Sequence, residues 1–201
     1  MGIEFNPAHW RLVSCSFLPY VMICQMIHPN TYSLDPSIVM GNSYSIYSSR
    51  QMWDFHPDVG LIVAGGQQPQ NNKVELSTDY GQTKESLGNL PYGCDWLSSG
   101  CMIILNKTTV FLAGGQGGCS SGSWSSAGLR ETYYLNIVTG HWTEGPLLSE
   151  GRRYHQCGLL NKPSPQIVVV GGINQNSWTD HVDIIDLETN TTTEGEIYNS
   201  Q

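Results

Sequence analysis

The chain has 201 residues, enough for one domain with a real core, and its 39% hydrophobic content is neither membrane-like nor plainly disordered. The formal net charge is -8 with only 9 Lys and Arg, and the one basic cluster is Arg152-Arg153, which argues against nucleic-acid binding driven by phosphate neutralisation. No uninterrupted apolar run reaches the roughly 18–20 residues a membrane-spanning helix needs, so no membrane association is expected. Charged residues are scarce at 13% and glycines number 22, a balance that suits many short strands joined by turns.

Residues 1–45 differ from the rest of the chain. Pro7, Pro19, Pro29 and Pro36 break them up, and they read as an irregular leader with one strand within Leu12 to Met26. That stretch comes after Glu4 and a single Arg11 and is interrupted by polar residues, a poor fit to a signal peptide.

From residue 46 onward an internal repeat takes over. Apolar runs Leu61-Ile62-Val63-Ala64, Val110-Phe111-Leu112-Ala113 and Ile167-Val168-Val169-Val170 each end in a glycine doublet, at Gly65-Gly66, Gly114-Gly115 and Gly171-Gly172. Successive doublets lie 49 and 57 residues apart, near the roughly 50-residue period of a propeller blade. Ahead of each doublet strand a turn separates it from an earlier segment: His56-Pro57-Asp58 after the segment opened by Arg50, Asn106-Lys107 after the Cys101 strand, and a Pro-containing turn after Cys157. Behind each doublet a polar loop leads to a third strand, at Lys73–Ser77, Thr132–Asn136 and His181–Asp186. An outermost strand begins at Trp142 in the second unit, with Thr192 and Lys84 near the matching places. Units of about 50–93, 94–152 and 153–201 therefore predict three four-stranded antiparallel sheets, each one blade of a propeller.

The set of residues carrying this pattern resembles kelch repeats. Arg153, His155, Cys157, Gly171 and Gly172 match in the third unit, and Gly114, Gly115, Tyr134, Thr139, Gly140 and Trp142 in the second; Gly65 and Gly66 hold the doublet of the first. Unit two lacks the Arg and His before its doublet, and units one and three lack the Trp. The resemblance implies an all-β, kelch-type propeller over 46–201. In it the glycines permit close backbone approach, Trp142 fills the gap between blades, and Arg153 and His155 bind neighbouring carbonyls. Propellers close with four to eight blades, so three units imply an incomplete ring. A fragment of a longer propeller is the preferred expectation, with a divergent N-terminus standing in for missing blades or self-association through open blade faces as the others.

Chemistry-bearing motifs are few. Ser77-Thr78-Asp79-Tyr80-Gly81-Gln82-Thr83 resembles the Asp-box turn of sialidases, whose role is structural. Galactose oxidase also has a kelch propeller, but no stretch here matches its copper ligands. The six cysteines show no Cys-x-x-Cys pair and no zinc-like grouping with histidine, so neither metal nor cofactor is expected. Cys101 and Cys157 share nearly the same repeat offset and read as small buried hydrophobes, whereas Cys94 and Cys119 could pair in a secreted protein. Asn106-Lys107-Thr108 and Asn190-Thr191-Thr192 are glycosylation sequons in predicted turns. The loop Gln116 to Gly128 carries a lone Trp124 flanked by Ser123 and Ser125, a composition suited to partner recognition. The function expected is non-catalytic protein–protein interaction through inter-strand loops, of the kind kelch adaptors perform. The alternatives are a secreted propeller binding carbohydrate or protein and, further off, a remnant of a copper oxidase.

Overall fold

Each run that ends in a glycine doublet is the second strand of a four-stranded antiparallel meander. The computed structural model describes strands at 13–18, 21–26 and 38–40 and, beyond them, residues 51–66, 72–78, 83–91, 94–119, 128–161, 163–175 and 177–195. At the N-terminal end β1 (Val13–Leu18), β2 (Val21–Met26) and β3 (Ile38–Met40) form an antiparallel sheet in the order β1-β2-β3. Two paired strands replace the single strand expected between Leu12 and Met26.

The first blade is β4 (Met52–His56), β5 (Gly60–Ala64), β6 (Lys73–Ser77) and β7 (Glu85–Asn89). After β8 (Cys94–Ser98) comes the second blade, built from β9 (Cys101–Asn106), β10 (Thr109–Ala113), β12 (Thr132–Asn136) and β13 (His141–Glu144). Between β10 and β12 the chain makes β11 (Gln116–Cys119), which pairs with β8 outside the blade. The third blade is β14 (Gln156–Leu160), β15 (Gln166–Val170), β18 (Val182–Asp186) and β19 (Thr191–Gly195), with the small hairpin β16 (Ile173–Asn174) and β17 (Ser177–Trp178) inserted after its doublet. Strand β4 lies against β9 and β9 against β14, so the first strands of the blades converge, as strands nearest a common axis do.

Strand alternation places the core between blades. In β9 and β10, Met102, Ile104, Val110 and Leu112 turn toward the first blade and join Ile62, Ala64 and Val74; Cys101, Ile103, Phe111 and Ala113 turn toward the third and join Ile167, Val169 and Ile185. The central blade is thus apolar on both faces, and each fully buried side chain contributes about 1.5–3 kcal/mol. Polar groups reinforce the seam: Asp54 of β4 accepts the N–H of Ile104 at 2.7 Å across the first interface, and its burial raises the carboxyl pKa. Trp142 lies in the same seam, edge-on to Tyr133 and donating its indole N–H to the Asn89 carbonyl at 2.9 Å.

Cys101 and Cys157 are not free apolar residues; they form a disulfide. Cys101 pairs with Ala113, directly before its doublet, but Cys157 pairs with Val169, one place further back. That one-residue offset reverses the face, so the first cysteine points at the third blade and the second points back at it. Equal offsets would have turned both sulfurs the same way.

The far face of the third blade is different. Its β15 alternates between fully buried Ile167 and Val169 and more accessible Val168 and Val170, the latter 45% exposed. In the equivalent places of the second blade, Phe111 and Ala113 are 0% exposed because the third blade covers them.

Val169→Asp is expected to abolish cooperative folding, since it buries an unpaired charge at more than about 4 kcal/mol, while Val170→Asp costs about 1 kcal/mol or less; thermal melts of the two variants distinguish them. Replacing both Cys101 and Cys157 by Ser removes a cross-link spanning 56 residues, for which chain entropy gives a loss of about 4 kcal/mol, readable by urea denaturation of the oxidised protein beside the double variant.

Candidate functional site

The blades present two unlike ends. At one, tight turns join β4 to β5, β9 to β10, β12 to β13 and β18 to β19. At the other, the doublets open into the longer connections, the β8–β11 pair and the β16–β17 hairpin among them. Binding residues concentrate on loops held by a rigid scaffold, so the doublet end is the candidate surface.

The doublets themselves are backbone devices. Gly114 and Gly115 have φ of 57° and 104°, angles that side chains disfavour. Space is also denied: a Cβ on Gly114 would meet His155 Cε1 at 2.7 Å, and one on Gly115 would meet the Ser98 carbonyl at 2.8 Å. What the bare backbone gains is a bond to the next blade. Gly115 donates to the Arg152 carbonyl at 2.9 Å, and Gly66 makes the corresponding bond to Leu97 at 2.6 Å. Gly65 would meet the Leu97 carbonyl if it carried a side chain, and Gly172 the Arg153 carbonyl at 2.5 Å. Gly171, at φ 65°, is held by its turn rather than by crowding.

Beneath the doublet end lies a buried polar network centred on Arg152, which is 0% exposed. Its guanidinium meets Asp183 Oδ2 at 2.6 Å and donates to the His181 carbonyl at 2.9 Å, while Asp183 Oδ1 accepts the Ser149 N–H at 3.1 Å. The role expected of Arg153 therefore belongs to its neighbour. Arg153 instead bridges by backbone to Ile173 and sets its guanidinium 5.9 Å from the centre of the Tyr154 ring. His155 does bind a neighbouring carbonyl, that of Ala113 at 3.0 Å. A carbonyl only accepts, so Nε2 carries the proton and Nδ1 is left bare and buried without a partner. Protonating it would place an unpaired charge in the core, and burial pushes the His155 pKa down to about 4.

This network braces the β16–β17 hairpin. Glu150 accepts from Asn174 Nδ2 at 2.5 Å and from Thr179 Oγ1 at 2.9 Å, one contact on each limb. Burial works to raise the Glu150 pKa, but those two bonds and the Arg152 charge outweigh it and hold the carboxyl below its ordinary value. Arg153 and Ile173 exchange backbone bonds at 3.0 and 2.8 Å, tying the hairpin base to the strand leading into the blade. On this frame Trp178, opposite Ile173, is 80% exposed.

Ser123, Trp124 and Ser125 lie outside the described residues, as do the middle residues 79–82 of the Asp-box-like turn. The loop holding Trp124 starts at β11, whose register sets Cys119 opposite Cys94. Sequence reasoning passed over Trp178, although the signal that singled out Trp124, a lone Trp in a polar loop after a doublet, was there too. At the opposite end, a groove of about 520 Å³ runs between the second and third blades, where Thr192 holds the place that Trp142 fills in the first seam. Among the described residues no group of three or more His, Cys, Asp or Glu is placed to hold a metal.

No protein-family model matches the sequence, and no curated protein matches it. The fold has known counterparts: the chain is similar to the solved structure of YjhT, a kelch-repeat propeller protein, with a TM-score of 0.62 and 12% identity over 76% of this chain and 52% of that one. It spans about half the length of YjhT, and the likeness is one of fold. The architecture is that of a partial kelch-type propeller of three four-stranded blades.

Because the folded pKa of His155 is depressed, the stability it supports is complete above the unfolded value of 6.5 and is lost as pH falls toward about 4, by about 3 kcal/mol. His155→Gln should be less stable at neutral pH yet show a flatter stability profile between these limits, measured by denaturant titration across pH.

Proposed function

We propose that this chain is a non-catalytic interaction module that binds a protein partner through the doublet end, in an oxidising compartment. The observation that carries the binding surface is Trp178, 80% exposed on a hairpin held from both limbs by Glu150. Exposing a large indole to water is costly unless something covers it, and a pre-ordered Trp loses little conformational entropy when it docks. Such residues dominate binding energy at interfaces. Trp124, in the corresponding loop of the second unit, is the second anchor of this reading.

The non-catalytic part rests on how the buried polar groups are used. Arg152 is spent on Asp183 and backbone carbonyls, His155 on Ala113, and Asp54 on Ile104. Each joins strands or blades and none converges with the others on a cleft.

The cysteines favour the extracellular version of this reading. Cys101 and Cys157 are bonded, and backbone register sets Cys15 opposite Cys24 and Cys94 opposite Cys119, so all six cysteines of the chain fall into facing pairs. Such frameworks belong to oxidising compartments.

Screening the folded protein against arrays of extracellular protein domains and of glycans provides the test. Trp178→Ala is expected to keep its melting temperature and to weaken the bound partner by roughly tenfold or more, a hot-spot loss of about 1.4 kcal/mol or above. A partner whose affinity is indifferent to both Trp178→Ala and Trp124→Ala would overturn the assignment of this face. A glycan ligand in place of a protein would move the reading to carbohydrate binding.

A further inference from the structure

We infer that Asn106 and Asn190 are N-glycan acceptors and that their glycans coat the end of the blades opposite Trp178. The inference rests on the oxidising-compartment reading above. The chain contains two Asn-x-Ser/Thr triplets without proline, Asn106-Lys107-Thr108 and Asn190-Thr191-Thr192. They are far apart in sequence, yet the fold brings both to the tight-turn end, one between β9 and β10 and the other between β18 and β19. Both asparagines line the same groove between the second and third blades, together with Tyr134 and Thr143.

Both side chains are exposed, and their hydrogen bonds leave the reactive atom free. Asn106 Oδ1 accepts the Thr108 N–H at 2.9 Å and the Thr108 hydroxyl at 3.0 Å; Asn190 Oδ1 accepts the Tyr134 hydroxyl at 3.1 Å. Neither Nδ2 is engaged among the described residues, so a sugar on that nitrogen breaks no bond of the fold. The two sites differ in one respect. The Thr108 hydroxyl is held against Asn106 at the surface, whereas Thr192 Oγ1 is buried without a partner. Asn190 is therefore usable only before the third blade closes, while Asn106 stays accessible afterwards.

The chemistry is transfer from a polyprenyl-diphosphate-linked oligosaccharide by the transferase of the secretory route. Nδ2 forms a bond to the anomeric carbon, the bond from that carbon to the diphosphate oxygen breaks, one amide proton is lost, and the lipid diphosphate leaves. Glycans placed there shield the open groove and leave the doublet end bare for a partner.

The test is expression of the full chain behind a secretion signal in mammalian cells, with cell-retained and secreted material both analysed. Release by an amide-cleaving glycosidase in heavy-oxygen water should mark Asn106 and Asn190 as labelled Asp in peptide mass spectra, with Asn106 the more fully occupied. Asn106→Gln and Asn190→Gln should each remove one step of gel mobility, and the double variant both. A chain with the Cys101–Cys157 bond formed and both asparagines unmodified overturns the glycan assignment and leaves the compartment reading standing. Free thiols at Cys101 and Cys157 overturn the compartment reading itself.

Discussion

The structure depends on how closely the backbone of one blade can approach the next at the end of its second strand. Gly66 and Gly115 give their N–H groups to carbonyls of the segments leading into the following blades, at 2.6 and 2.9 Å. Positive φ lets the chain turn there, and the missing Cβ is what lets the two backbones meet. Without that approach the apolar faces of adjacent sheets could not close on each other along their length. The glycine doublet is in this sense a joint between blades more than a turn within one.

Around that joint the fold gathers its strongest polar contacts. Arg152, Asp183 and His155 are withdrawn from water, and each has a partner on another strand or another blade, while the part-buried Asp54 ties the first blade to the second further along their strands. Buried polar groups of this kind specify one register, because a slipped strand would leave them unpaired. The disulfide adds a covalent tie between the first strands of the second and third blades. Rigidity at this end carries over to the surface, since Glu150, beside Arg152, is the residue that grips both limbs of the Trp178 hairpin.

The two ends of the molecule consequently have different characters. The doublet end holds the longer connections and an exposed indole on a braced support. The other end holds short turns, many closed by Asn, Asp and Thr side chains such as Asn136 and Asp186, and a shallow groove. Division of labour between a recognising end and a passive one needs no change in the blades, only in what joins them.

The repeat was legible because three doublets after three apolar runs can be aligned without knowing any contact, and the strands of each unit follow from period-2 patterning and turn residues. The Arg and Cys positions were read less well. Choosing Arg153 over Arg152, or equating the offsets of Cys101 and Cys157, is an error of one residue, and in a strand one residue decides which face a side chain takes. Trp178 carried the same composition signal as Trp124, but its exposure follows from the short β16–β17 hairpin, which a polar loop composition does not announce. The three glycine-ended units, the order of the four strands within each and the glycine joints could be read from the chain alone, since these are local and repeat. Which arginine is buried and which cysteines meet emerged with the folded molecule, because each depends on the register between strands far apart in the chain, and Trp178 stands free because contacts from Glu150 and Arg153 hold its hairpin in place.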